Sequence, residues 1–250
     1  METESIFGYL DRYLHHSEIP DYAGAENGLQ VEGRGPVSKL GAAVDASERI
    51  LGKAAQEGVD LLLVHHGLFW DPGRPITGRR YRKLRLLMEE GMALYSSHLP
   101  LDAHAEVGNC AVLMRALGWD PEKRFGEWKG LEIGWQTESV EPIQALRDRV
   151  AEVVEGPVQL LAGGPDTTGR VAIVTGGGGS FIGQAAEAGV DTLITGEGAH
   201  HTYLDAMELG VNVLYAGHYA TETWGVKALA EHLSHRFELP WVFLDDPSAL

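Results

Sequence analysis

Two apolar segments that recur within one chain constrain the fold more than any other feature. EGVDLLLVHHG (57–67) and EAGVDTLITGEG (187–198) each read as a helix end, a strand opening on Val-Asp, and a glycine turn. Each is followed by a helical stretch and a second apolar strand, in EEGMALYSSHLPLD and ELGVNVLYAGHYATE. Leu94-Tyr95 matches Leu214-Tyr215, His98 matches His218, and Asp102 matches Glu222. Single apolar strands repeat by chance in α/β proteins. A strand, a helix, a strand and then His-x-x-x-acid, repeated in that order, imply two related α/β units that bring their polar strand ends together.

The remaining pattern agrees. Helical spacing or helix boundaries mark 6–14, a segment capped by Ser47 and ending at Gly58, one ending at Gly91, and 107–117, 142–156, 180–189, 201–209 and 221–237. Strands are expected at 39–44, 59–64, up to Ser96, and at 131–135, 158–161, 171–174, 190–195, 211–216 and the closing WVFL. Uninterrupted apolar strands such as 59–64 belong to sheets covered on both faces. The alternation predicts an α/β fold with mainly parallel or mixed sheets.

Composition narrows the function classes. The single cysteine, Cys110, excludes an intramolecular disulfide and a cysteine-based zinc site. No run of 18 apolar residues is present, so no membrane span is expected. The acidic, amphipathic start lacks the features of a secretory signal, which leaves the cytoplasm as the expected location. A net charge of -16 repels nucleic-acid phosphates, so nucleic acid is not an expected partner. The basic stretch from Arg74 to Arg85 is the local exception, suited to an anionic small molecule or an acidic neighbouring subunit.

Three clusters could carry chemistry. His65-His66 leave a buried strand beside Gly67, where the backbone can turn both imidazoles towards one cleft. His218 and Glu222, four apart, share a face if they start a helix. His98 and Asp102 repeat that spacing, but Pro100 between them favours a loop. Asp102 is then a candidate ligand, and His98 either a ligand or a group that orients one. All three lie at carboxyl ends of apolar strands, where open α/β sheets place ligand sites. Imidazole and carboxylate together suit two divalent ions, of zinc, iron, manganese, nickel or cobalt. Glu197 and His201, in GEGAHH, stand where the repeat places His65 and His66, and together with His98 are candidate acid–base groups. The glycine-rich VTGGGGSFIG (174–183) is either a tight turn or an anion cradle.

VHHG, SHLPLD, TGEGAHH and GHYATE, in that order and spacing, with ENGLQVEG (26–33), resemble the Nif-three-like dinuclear-metal family, some of whose members carry the name type 2 GTP cyclohydrolase I. The resemblance covers nearly the whole chain. It implies two α/β domains with the second (126–214) inserted into a metal-binding first (1–125 plus 215–250). It also implies a toroidal homohexamer with metal sites facing its cavity. Carried over by motif, the metal ligands are His65, His66, Asp102, His218 and Glu222. The expectation is a dinuclear metal-dependent hydrolase acting on a small molecule, with opening of the purine ring of GTP as its specific form. The alternatives are a phosphoesterase and a non-catalytic metal-binding or scaffold protein.

Overall fold

Short apolar runs form strands here because both faces of each sheet are covered, as the run Leu61–His66, buried along almost its whole length, shows. The structure is a computed structural model that describes residues 3–71 and 73–248. The chain divides into two compact units, Met1–Val107 with Gly225–Asp246, and Gly108–Trp224 with Pro247–Leu250.

The first unit contains α1 (Thr3–Tyr13), β1 (Gly28–Val31), β2 (Leu40–Asp45), α2 (Glu48–Gln56), β3 (Leu61–His66), α3 (Gly78–Glu90), β4 (Ala93–Ser96) and the short α4 (Leu99–Asp102). The second contains α5 (Asn109–Ala116), β5 (Lys123–Trp128), β6 (Leu131–Glu138), α6 (Ile143–Val153), β7 (Gln159–Ala162), β8 (Arg170–Val174), a 3-10 turn at Gly178–Phe181, α7 (Ile182–Glu187), β9 (Thr192–Thr195), α8 (Thr202–Leu209) and β10 (Asn212–Tyr215). Helix α9 (His218–Phe237) begins in the second unit and continues into the first, which closes with β11 (Trp241–Phe243).

The repeat seen in the sequence is a repeat of topology. One sheet has the order β1-β4-β3-β2-β11 and the other β5-β6-β8-β9-β10-β7. In each, three consecutive strands pair in parallel, β2-β3-β4 and β8-β9-β10, and an antiparallel edge strand flanks the last of them, β1 on β4 and β7 on β10. The sheets differ beyond the shared core, where β11 adds in parallel to β2 while β6 adds antiparallel to β8 and β5 antiparallel to β6. Both are therefore mixed α/β sheets, as the alternation predicted.

Residues 108–125 and 215–224, expected in the first domain, pack in the second unit. Cys110, Leu113, Met114 and Leu117 of α5 share a core with Ile143, Leu146 and Val150 of α6 and with Ile173, Ile194 and Leu214 of the sheet. Their burial there outweighs their nearness in sequence to the first unit. Consequently His218 and Glu222 start in the unit that does not hold His65 and His66.

Local signals set the start of α2 and the end of α3. The Ser47 hydroxyl accepts from the Ile50 amide at 3.0 Å, and Gly91 closes α3 in the left-handed conformation at φ 68°. Truncating Ser47 to alanine is expected to cost about 1 kcal/mol, read as a lower denaturation midpoint in urea with an unchanged slope. Two strands carried no readable signal. β1 is four residues at a sheet edge, and β5 (KRFGEW) is polar and passes through Gly126 at φ 77°.

Candidate metal centre

Strand β3 ends on adjacent histidines whose side chains would point to opposite faces of an ideal strand. Here the chain is leaving the sheet, and the rings of His65 and His66 lie 4.7 Å apart at 47°. His98 joins them, its ring centroid 4.9 Å from that of His65 and 5.6 Å from that of His66. One nitrogen from each of the three lies within 4.8 Å of the others.

The neighbours of these rings decide which nitrogen that is. His65 Nδ1 is 3.0 Å from the Ser97 carbonyl oxygen, His66 Nδ1 is 2.9 Å from Asp45 Oδ1, and His98 Nδ1 is 2.9 Å from Asp21 Oδ1. A carbonyl or an ionised carboxylate only accepts, so each Nδ1 donates its hydrogen and the lone pair of the neutral ring falls on Nε2. Sheet register supplies one partner directly, because Asp45 stands opposite His66 in the β2–β3 ladder. Asp21 comes from a loop and also accepts from Asn27 Nδ2 and from the Leu99 amide. Burial alone would raise its pKa. Hydrogen bonds from His98, Asn27 and the Tyr22 amide outweigh that and hold it below the usual carboxylate range.

Asp102 is buried, with Oδ2 3.5 Å from His65 Nε2. It ends α4, a helical turn where a loop was expected. Pro100 occupies the first turn, where its missing N–H removes no intrahelical bond. Trp70 stands edge-on to His98 at 5.0 Å, and its indole N–H donates to the Gly67 carbonyl.

The second unit builds a matching pair. His218 is the first residue of α9 and the buried Glu222 lies one turn on, their Nε2 and Oε1 atoms 3.1 Å apart. His218 Nδ1 donates to Glu197 Oε1 at 2.8 Å. The hydrogen bond to Glu222 is the main cause that pushes the His218 pKa up to about 9, with Glu197 adding to it and burial opposing. The proton that Nε2 shares with Glu222 thus stands where an imidazole–carboxylate pair would hold a cation. The repeat extends to this detail: His98 and His218 each follow a parallel strand, and each has Nδ1 tied to a carboxylate.

The glycine-rich turn serves packing. Gly176 N–H donates to Thr221 Oγ1, Gly178 N–H to Thr195 Oγ1 and Gly179 N–H to the Glu197 carbonyl. Those three amides are therefore engaged within the protein. The turn fixes the half-site, since the Gly176 carbonyl receives the Gly196 and Glu197 amides, and a Cβ on Gly176 would fall on Glu222 Oε1.

Of the acid–base candidates, His98 lies in the first cluster and Glu197 on His218. His201 is exposed at the start of α8, and its side chain makes no hydrogen bond among the described residues. Sequence reading missed Asp21, Asp45 and the Ser97 carbonyl. Only Asp45 had a signal available, as the acid that ends the strand before VDLLLVHH. Removing it should free the His66 ring to turn. Asp45→Ala is expected to weaken divalent-metal binding about 10–100-fold, measured by competition with a chromogenic chelator, with little change in melting because the carboxylate is half-exposed.

Comparison with known proteins places the chain in one family. The chain is 41% identical over 251 residues to a GTP cyclohydrolase 1 type 2 homolog of Deinococcus radiodurans, covering 99% of this chain and 94% of that one. It is 40% identical to a protein of the same name from Escherichia coli K12, covering 99% of each. Its structure superposes on the crystal structure of TTHA1606 from Thermus thermophilus with a TM-score of 0.89 at 44% identity, over the full length of both chains. The family model described as Duf34/NIF3 (NGG1p interacting factor 3) matches residues 1–248, and the chain belongs to that family.

Proposed function

We propose that His65, His66 and Asp102 of the first unit, with His218 and Glu222 of the second, hold two divalent ions, and that the protein is a hydrolase. The observation that carries this reading is the state of the three imidazoles in this set, which His98 shares. Each has Nδ1 tied to an acceptor, so each presents Nε2, as metal-ligating histidines do. A nitrogen and carboxylate donor set without thiolate fits zinc, iron, manganese, nickel or cobalt. Two bound ions would supply an activated water at neutral pH.

The chain's own groups divide the remaining work. Asp45, the Ser97 carbonyl and Glu197 are positioning groups, because they act through His66, His65 and His218. His98 is the group left to carry a proton at Nε2, its ring steadied by Asp21 and by the edge of Trp70. The names of the curated relatives favour GTP as the substrate, with hydrolytic opening of the purine ring. The toroidal hexamer implied by the resemblance is part of the same proposal.

The test is incubation of untagged protein, loaded in turn with zinc, manganese or iron, with GTP. Loss of the intact purine absorbance with release of formate is the expected result. Release of phosphate instead would make the protein a phosphoesterase. Absence of turnover with every metal, on GTP and on phosphate esters alike, would leave a metal-binding protein and end the hydrolase reading.

A further inference from the structure

The first turns of α3 gather more positive charge than the protein neutralises. Arg74 pairs with Asp71 at 3.0 Å, Arg85 reaches Glu89 at 3.6 Å, and Arg82 holds Glu48 through bonds of 2.7 and 2.9 Å. Arg80 lies over the Phe69 ring at 5.0 Å and donates to the Arg74 carbonyl. Arg79 and Lys83 remain, and among the described residues neither has a carboxylate within ion-pair distance. They are four apart, so two like charges face each other on one side of the helix. Arg79 also sits in the first turn, where the helix dipole disfavours cations.

Lys83 is half-buried as well. Burial and the Arg79 charge both weaken its hold on its proton, and Glu48 and Asp45 only partly compensate. Glu48 is already engaged by Arg82, and Asp45 by His66. A chain with net charge -16 has ample acid to neutralise two cations, yet the nearby carboxylates Glu48 and Asp45 are held by other partners. The location is informative. Glu48, held by Arg82 of the same helix, stands three residues after Asp45, the carboxylate that orients His66, and Phe69 beneath Arg80 lies two residues beyond Gly67.

We propose that Arg79 and Lys83 bind an oxyanion of the substrate, a phosphate group, beside the His65–His66 half-site. The substrate class is then phosphorylated, which rests on the hydrolase reading, whereas binding of the oxyanion itself requires no metal. Inorganic tripolyphosphate is the probe, titrated calorimetrically into the full chain, both metal-loaded and after chelation. Arg79→Gln/Lys83→Gln is expected to weaken binding about 100-fold, about tenfold for each charged contact. Arg74→Gln/Arg85→Gln removes the same charge from cations that already have partners, and should change affinity less than about threefold. No binding by the unaltered chelated chain, equal affinities for it and Arg79→Gln/Lys83→Gln, or equal losses in the two double variants would each overturn the site. Metal content measured on the same samples separates this outcome from failure of the dinuclear reading, because neither double variant should change it.

Discussion

Replacing Gly176 with alanine is expected to damage the His218–Glu222 half-site from a position that offers no ligand atom. Two effects act together. Gly176 lies at φ 66°, a conformation that costs a residue with a Cβ about 1–3 kcal/mol. The new Cβ would also occupy the position of Glu222 Oε1 and crowd His218 Nε2 at 3.3 Å. Glu222 is buried on α9 and cannot relieve the clash by swinging into water. The variant should therefore unfold at lower denaturant and bind divalent metal at least about tenfold more weakly. Gly183→Ala is the control, because that glycine lies in the same segment with open space around its Cβ direction. Equal metal affinity in the two variants would show that the turn does not hold the half-site.

The second large effect is expected from His66→Ala. His65 is fully buried, so its removal mixes lost packing with lost chemistry. His66 is only partly buried and its ring contacts are with His65, His98 and Trp70, so truncation should leave the fold intact. Metal affinity should fall by more than the roughly 10–100-fold expected on losing a supporting residue. His66→Ala that kept wild-type metal content at sub-stoichiometric chelator would remove His66 from the ligand set. The contrast with Asp45→Ala matters too, since a supporting carboxylate must cost less than the imidazole it orients.

How much of this was legible in the sequence depends on the kind of interaction. The parallel core could be read because β3, β4, β9 and β10 are buried almost throughout, and burial on both faces demands apolar central residues. The edge strands β1 and β5 were missed because a strand of four residues and a polar, half-exposed one carry no such demand. Helix α9 begins at His218, three residues before the expected start at Thr221, because Gly217 at φ 90° turns the chain directly out of β10. The compact units divide at other residues than the domain bounds read from the sequence, because the apolar spacing of α5 says that a face is buried, not which sheet buries it.

Within the candidate site, residues that offer atoms to a cation stood out, since histidines and acids at strand ends are uncommon in a core. The groups that aim them did not. Asp21 works from an irregular loop and the Ser97 carbonyl has no side-chain signature, so only folding reveals them. Glu197 was noticed as a reactive candidate, and the structure gives it a positioning contact with His218. The run of glycines fits a tight turn or an anion cradle equally in sequence, because amides alone do not reveal their partners. Threonines 195 and 221 take two of those amides.

The most direct measurement of the central proposal is the metal stoichiometry of untagged protein by elemental analysis, after reconstitution and gel filtration, set beside Glu222→Gln. Two divalent ions per chain are expected in the unaltered protein, and fewer in the variant with its folded melting transition retained. Reconstituted protein that retains no tightly held ion, or Glu222→Gln with undiminished content, would contradict a shared pair of ions.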